Sequence, residues 1–145
     1  MSNETRRILL VEDEKAIRDA VTAYLERENY WVTAVGDGQE ALEEFSKHHF
    51  DLVILDLMLP RVPGERVCRA IRDNSDVPII MLTARESEED QLTGLTNGAD
   101  NYITKPFRLR VLKAHMDVLL KRNNRAAADE IEAGKLRLEQ ASQRA

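Results

Sequence analysis

Short apolar runs alternate along this chain with longer segments in which apolar residues recur every three or four positions. The short runs are bounded by polar or turn residues, so they predict strands buried in a sheet. The longer segments have the spacing of amphipathic helices. Strands are predicted at residues 8–11, 30–35, 52–55, 77–82 and 100–104, and the mixed pattern of 30–35 is typical of an edge strand.

A helix is predicted after each strand. The first helix ends at Asn29, the second is capped by Asp37, the third runs from Gly64 to a polar break at 73–76, and the last two span 86–97 and 107–122. This alternation predicts an α/β fold with one parallel sheet and helices on both of its faces. Because crossovers are right-handed, we expect five strands in the doubly wound, flavodoxin-like order 2-1-3-4-5.

Polar side chains stand where four of the predicted strands end. They are Glu12 and Asp13 after the first strand, Asp56 after the third, Thr83 after the fourth and Lys105 after the fifth. The carboxyl ends of parallel strands meet at one edge of a sheet, where open α/β proteins bind their ligands. We therefore expect these five side chains to form one site.

The residue types at this edge suit phosphoryl chemistry. Three carboxylates about 4 Å apart repel by roughly 4 kcal/mol per pair at a surface-like dielectric constant, so they need a cation. Oxygen ligands from a few side chains suit Mg²⁺, which bridges carboxylates to phosphate. Lys105 supplies a positive charge and Thr83 a hydroxyl donor, which fits an aspartate that attacks phosphorus. Taken singly, Asp13 and Thr83 could be caps and Lys105 a solvated turn charge, but their joint placement favours a site.

Composition narrows the classes of function. The chain has 145 residues, enough for one domain and a tail, and a net charge of −5, which argues against binding nucleic acid by itself. It has no apolar run near the roughly 18 residues that a membrane span requires, so we expect a cytoplasmic protein without membrane contact. The single cysteine, Cys68, lies in an apolar stretch and is predicted to be buried without chemistry.

Four segments of the chain together resemble the receiver domains of two-component response regulators. They are residues 10–14 (LVEDE), 51–60 (DLVILDLMLP), 78–84 (PIIMLTA) and 98–107 (GADNYITKPF), and the resemblance extends over about 7–122. It implies that Asp56 is the phosphoacceptor and that Glu12, Asp13, Asp56 and the backbone carbonyl of Met58 hold Mg²⁺. It also implies that Thr83, the Ala84 amide and Lys105 contact the phosphoryl group. Tyr102 matches the switch aromatic that turns inward as Thr83 moves.

The resemblance also implies a function and partners. The protein is expected to accept a phosphoryl group from a sensor histidine kinase and to switch a transcriptional output, without being an enzyme beyond assisting its own phosphotransfer and dephosphorylation. Residues 1–122 would form the receiver domain, and 123–145 a linker or helical extension. Residues 134–138 (GKLRL) resemble the first strand of the winged-helix domain in OmpR-type regulators. DNA would then be contacted only through an effector domain that is largely absent here.

One region departs from the family pattern. OmpR-type receivers dimerise through charged pairs on the face that corresponds to residues 86–122. Here Gln91, Asn101, Val111 and His115 replace an arginine, an aspartate, a glutamate and an arginine. We expect a homodimer that is weaker or differently built, resting on an apolar patch around Val111, and we interpret His115 as a surface residue and not a metal ligand.

Three other functions are weighed against this one. Phosphatases with an aspartyl-phosphate intermediate resemble Asp-x-Asp at the nucleophile, whereas the second position here is Met58. Flavin binding on this fold needs a phosphate-binding loop after the first strand, and residues 12–14 are all acidic. A receiver fold that serves as a phosphorylation-independent interaction module stays open because of the altered dimer face.

Overall fold

The computed structural model describes residues 5–84 and 98–132, in which five strands and four helices follow one another along the chain. The elements are β1 (Arg7–Val11), α1 (Lys15–Arg27), β2 (Trp31–Val35), α2 (Gly38–Lys47), β3 (Leu52–Asp56), α3 (Gly64–Arg72), β4 (Ile79–Thr83), β5 (Asn101–Thr104) and α4 (Leu109–Glu132). The helix predicted at 86–97 and any strand within 133–145 lie outside the described residues.

All five strands are parallel and form one sheet in the order β2-β1-β3-β4-β5, which confirms the predicted topology. The three inner strands are apolar and buried almost throughout, as expected for strands covered on both faces. β2 is an edge strand, as its mixed pattern predicts, and its first residue, Trp31, is 55% exposed. The order β2-β1-β3 places the ends of β1 and β3 side by side at the switch point of the sheet.

Two hydrophobic cores flank the sheet because successive side chains of a strand point to opposite faces. On one face, Val53 and Met81 pack in a core with residues of α2 and α3. On the other face, Ile54 and Leu82 pack in a core with residues of α1 and α4. Cys68 of α3 is buried in the first core, and burial raises the pKa of its thiol to about 11. It is a small core residue, as predicted.

The ends of several elements differ from the prediction for identifiable reasons. β4 begins after Pro78, which has no N–H to donate, although the Pro78 carbonyl still accepts a hydrogen bond from Val53. β5 begins at Asn101 because the carboxylate of Asp100 caps the sheet, accepting from the Ile79 amide at 2.8 Å. Asp37 caps α2 as predicted, with its carboxylate 2.8 Å from the Glu40 amide.

The last helix starts later than predicted and continues past residue 122 to Glu132. The sequence allows either a linker or a helical extension after residue 122. Residues 123–132 are helical. The domain boundary at 122 stays a prediction. None of the helices within 5–84 and 98–132 has both the length and the apolar character needed to cross a membrane.

The turn that follows β3 is built around Gly64, the first residue of α3. Its amide donates to the Leu57 carbonyl at 3.0 Å, and a Cβ at this position would lie 2.3 Å from the Asp56 carbonyl oxygen. Only glycine lets α3 start this close to the end of β3. The position of Asp56 therefore depends on a backbone contact between β3 and α3.

We expect Gly64→Ala to lower the free energy of unfolding by about 2 kcal/mol, because the added methyl group meets backbone atoms that cannot yield. Urea denaturation measures this. Gly36→Ala is the matched control, since its Cβ would lie 3.3 Å from Nη1 of Arg18, which can move, and it should cost less than about 1 kcal/mol. Equal stability of the two variants would contradict the packing argument.

Candidate functional site

Three carboxylates meet at the carboxyl edge of the sheet. Glu12 and Asp13 follow β1, Asp56 ends β3, and the pairing of these strands brings one oxygen from each residue within 4.8 Å of the others. Glu12 and Asp56 are buried, whereas Asp13 is exposed. The predicted convergence of the acids is confirmed, and two of them lie where unpaired charge is costly.

Lys105 lies among these carboxylates. Its Nζ is 2.9 Å from Oδ2 of Asp56 and 3.0 and 3.2 Å from the two oxygens of Glu12. Glu14 adds a longer contact of 3.6 Å. The lysine side chain is only 13% exposed, so it is a largely buried counter-ion and not a solvated turn charge. One ammonium group thus offsets much of the repulsion between Glu12 and Asp56.

The pKa values of this cluster reflect burial and pairing. Burial raises the pKa of Glu12, and the hydrogen bonds from the Glu14 amide and from Lys105 offset only part of that rise. Burial alone would lower the pKa of Lys105, but its hydrogen bonds to Asp56 and Glu12 raise it by more. Lys105 therefore stays charged, and Glu12 depends on nearby cations to remain ionised.

Asp56 is held at both of its carboxylate oxygens. Oδ1 accepts a hydrogen bond from the Met58 amide at 3.0 Å, and Oδ2 accepts from Lys105. Behind it, the Leu57 amide donates to the Leu82 carbonyl at 2.8 Å and ties the end of β3 to β4. The aspartate is therefore fixed in orientation at the end of a rigid central strand, next to a loop where Met58 is exposed.

The remaining predicted residues line the neighbouring strand ends. Thr83 is buried at the end of β4, exposed Ala84 follows it, and the Thr83 carbonyl accepts a hydrogen bond from the Lys105 amide at 2.6 Å. Tyr102 of β5 pairs in register with Met81, two residues before Thr83, so Tyr102 and Thr83 are on the same face of the sheet. Tyr102 is half-buried against the core of that face.

The sequence reasoning missed Arg18. Its Nη1 donates to the Glu12 carbonyl at 2.8 Å and to the Asp13 carbonyl at 3.3 Å. The helical pattern assigns Arg18 to the polar side of α1 and says nothing of these contacts. The available signal is its position near the start of a helix, because helical side chains lean toward the N-terminus and so toward the preceding loop.

Comparison with known proteins identifies the family. The model of the response regulator receiver domain matches residues 8–117. The chain belongs to this family. Receiver domains are the signalling switches of two-component response regulators, and the fold and the acidic pocket described above agree with that membership.

Two curated relatives of this receiver domain are longer proteins. The chain is 45% identical over 137 residues to the sensory transduction protein RegX3 of Mycolicibacterium smegmatis, which covers 91% of this chain and 60% of the relative. It is 50% identical over 116 residues to the regulatory protein VanR of Enterococcus faecium, covering 80% of this chain and 50% of the relative. The chain thus spans between half and 60% of these relatives.

A solved structure shows the same fold with a metal ion. The receiver domain of the sensor histidine kinase PA1611 from Pseudomonas aeruginosa superposes with a TM-score of 0.76 at 31% identity, covering 81% of this chain and 99% of that one. That structure has a magnesium ion coordinated in its active-site cleft. This receiver domain has its acidic cluster of Glu12, Asp13 and Asp56 at the carboxyl edge of the sheet.

We expect Lys105→Met to destabilise the metal-free receiver domain by up to about 3 kcal/mol, because it removes the counter-ion of two buried carboxylates. The same change should strengthen Mg²⁺ binding, since the lysine no longer competes for carboxylate oxygens. Urea denaturation and calorimetric titration with MgCl₂ measure the two effects.

Lys113→Met is the control for this prediction. Lys113 pairs with Asp117 and Glu28, away from the acidic cluster, so its removal should leave Mg²⁺ affinity unchanged. An unchanged affinity in Lys105→Met would show that the lysine does not compete with the metal.

Proposed function

We propose that this receiver domain accepts a phosphoryl group on Asp56 from a phosphohistidine of a sensor histidine kinase. The observation that carries the proposal is the environment of Asp56, which is buried at the end of β3 with Lys105 on one oxygen and the Met58 amide on the other. Beside it stand Glu12 and Asp13, whose oxygens lie within reach of the same cation.

The residues present fit a magnesium ion. Glu12, Asp13, Asp56 and the Met58 carbonyl would hold it, and an all-oxygen set is what Mg²⁺ prefers. Oε1 of Glu12 is buried and accepts no well-formed hydrogen bond, although it lies 3.0 Å from Nζ of Lys105. This oxygen is therefore available as a ligand for the metal ion. A bound Mg²⁺ would supply positive charge that stabilises the negative charge of the transferred phosphoryl group.

The proposed reaction is an in-line displacement at phosphorus. A carboxylate oxygen of Asp56 forms a bond to phosphorus as the phosphorus–nitrogen bond of phosphohistidine breaks, and the electron pair returns to the imidazole nitrogen. Lys105 moves its charge from Asp56 and Glu12 onto the transferred group, and Thr83 and the Ala84 amide donate hydrogen bonds to its oxygens. The fixed orientation of Asp56 keeps the attacking oxygen in place.

The acyl phosphate is the signal, and the domain assists its formation and hydrolysis without turning over general phosphate esters. Met58 stands where phosphatases of related fold have a second aspartate, so no side-chain general acid is supplied there. Met58 is exposed next to Asp56 and would tune the phosphoryl lifetime. The same role is expected from the sequence for Arg85, which lies outside the described residues.

The proposed switch links Thr83 to Tyr102. Phosphorylation adds about −1.5 to −2 of charge, which draws Thr83 and Lys105 toward the new oxygens. Because Tyr102 is on the same sheet face as Thr83, the space that Thr83 leaves is on the side toward which the aromatic ring can turn. The resulting change is expected at residues 86–122, of which the structure describes 98–122.

Incubation with acetyl phosphate and MgCl₂ should add one phosphoryl group to the protein, seen by intact mass. Asp56→Asn should show no adduct, and omission of MgCl₂ should abolish it in the parent protein. If neither acetyl phosphate nor beryllofluoride modifies the parent, the site is idle, and a phosphorylation-independent interaction module becomes the better account. Release of phosphate from a general ester such as p-nitrophenyl phosphate would instead indicate a phosphatase.

The protein is proposed to act in the cytoplasm and to control transcription. The longer relatives include proteins named as regulators, such as VanR, and this chain spans half of its length. Residues 123–145 would then connect the receiver domain to a DNA-binding domain, with α4 continuing to Glu132 as the first part of the connection. DNA contact belongs to that further domain.

Homodimer formation is proposed to be weak or to differ from the charged-pair geometry of OmpR-type receivers. Within the described part of the 86–122 face, Asn101 and His115 are hydrogen-bonded to each other, with Nδ2 and Nδ1 2.6 Å apart. Both side chains are thus engaged with each other within the chain. Val111 is 44% exposed and offers apolar area instead of charge. Gln91 lies outside the described residues.

Sedimentation velocity of the beryllofluoride-activated protein should show mostly monomer at low micromolar concentration, because the exposed charged pairs that set register are missing. At higher concentration, Val111→Asp should weaken self-association further, since it places a charge in the apolar patch. Lys47→Asp on α2 is a distant control. An activated dimer of the usual charged-face kind at low micromolar concentration would contradict this expectation.

A further inference from the structure

Arg18 of α1 reaches back over the loop that carries the first two acids of the site. One guanidinium nitrogen, Nη1, donates to the backbone carbonyls of both Glu12 and Asp13, at 2.8 and 3.3 Å. The contact is to the main chain and not to the carboxylates. Among the described residues Arg18 forms no ion pair, so its charge is directed at the dipoles of these two carbonyl groups.

The rest of this loop is tethered through other atoms. The Glu12 amide donates to the Val35 carbonyl at 3.1 Å, and the Glu14 amide donates to Oε2 of Glu12 at 3.0 Å. The residue before α1, Glu14, forms no side-chain capping hydrogen bond. The carbonyl side of the loop is therefore held by a side chain that comes from the helix itself.

The neighbouring turn leaves room for this arrangement. A Cβ at Gly36, just after β2, would lie 3.3 Å from Nη1 of Arg18, so the guanidinium fits closely between that turn and the acidic loop. Asp13 is the exposed member of the cluster, and its carboxylate forms no hydrogen bond or ion pair with any residue in 5–84 and 98–132. Its placement is thus sensitive to the contact that Arg18 makes.

We propose that Arg18 is a positioning residue that holds the Glu12–Asp13 backbone in the conformation that binds the divalent cation. The inference rests on the magnesium site of the proposed function. The proposal predicts that removing Arg18 weakens Mg²⁺ binding, whereas electrostatics alone predicts the opposite. A positive charge near a cation site opposes binding, so removing it should strengthen Mg²⁺ binding unless the guanidinium also organises the ligands.

The test is calorimetric titration of the unphosphorylated protein with MgCl₂, using Arg18→Ala, Arg18→Lys and Lys15→Ala. Lys15 is the matched control because it is also a cation at the start of α1, but it pairs with Asp19 at 2.7 Å and is largely exposed. We expect Arg18→Ala to weaken Mg²⁺ binding about tenfold, in the range for residues that support metal ligands. Lys15→Ala should leave binding unchanged or slightly tighter, and Arg18→Lys should be intermediate.

Equal or tighter binding in Arg18→Ala, relative to Lys15→Ala, would overturn the proposal. If Arg18→Ala fails to fold, as judged by circular dichroism, Arg18→Lys decides. This variant keeps the charge but not the guanidinium, so weaker binding than in the parent supports positioning and equal binding refutes it.

A metal-free measurement separates this proposal from the proposed function. Hydrogen exchange of the Glu12 and Glu14 amides should be faster in Arg18→Ala than in Lys15→Ala, because the loop loses one of its tethers. If the parent binds no Mg²⁺, the magnesium site of the proposed function fails, and amide exchange alone tests Arg18. Equal exchange in the two variants would show that Arg18 does not hold the loop.

Discussion

Two buried carboxylates, those of Glu12 and Asp56, share the ammonium group of Lys105, with Nζ–O distances from 2.9 to 3.2 Å. Burial raises the pKa of Glu12, and Lys105 is the cation that offsets the charge of these two buried carboxylates. Lysine is a mobile counter-ion on a flexible stem, unlike the fixed fork of arginine, so it can transfer its charge to a newly bound group. Lys105 therefore stabilises the unphosphorylated site and can move when a phosphoryl group adds negative charge.

The fold supplies the precision that this arrangement needs. The order β2-β1-β3-β4-β5 places the ends of β1 and β3 next to each other, and backbone hydrogen bonds extend the pairing beyond the strand ends. The bond from the Lys105 amide to the Thr83 carbonyl is of special interest, because it ties the counter-ion to the proposed switch residue. A shift of Lys105 toward a phosphoryl group would thus also displace the backbone at the end of β4.

Much of this could be predicted from the sequence, because apolar runs such as 52–55 define buried strands and parallel strands end at one edge. That rule alone places Asp56, Glu12 and Lys105 together. The rule does not give the contacts of Arg18, since periodicity assigns a side chain to a face but not to a partner. The residue pattern also puts Asp100 in β5. Its amide does donate to the Ile79 carbonyl, but the Ile79 amide donates to the Asp100 carboxylate, which also pairs with Arg72.

For a different reason, the sequence does not decide whether α4 continues past residue 122. Alanines 126–128 favour a helix and Gly134 disfavours one, so local propensity leaves the boundary open. The sequence shows that Asn101 and His115 depart from the family pattern. It does not show that their side chains form a hydrogen bond with each other. Such pairings depend on rotamers and on the register of β5 against α4, which residue patterns do not specify.

The central claim is that Asp56 is the phosphoacceptor and that Lys105 transfers its charge to the incoming group. A crystal structure with Mg²⁺ and beryllofluoride tests it most directly. The account predicts beryllium bonded to a carboxylate oxygen of Asp56, the cation on Glu12 and Asp13, and Nζ of Lys105 moved from Glu12 to a fluorine. An unmodified Asp56, with Lys105 still bound to Glu12 at saturating beryllofluoride, would contradict it.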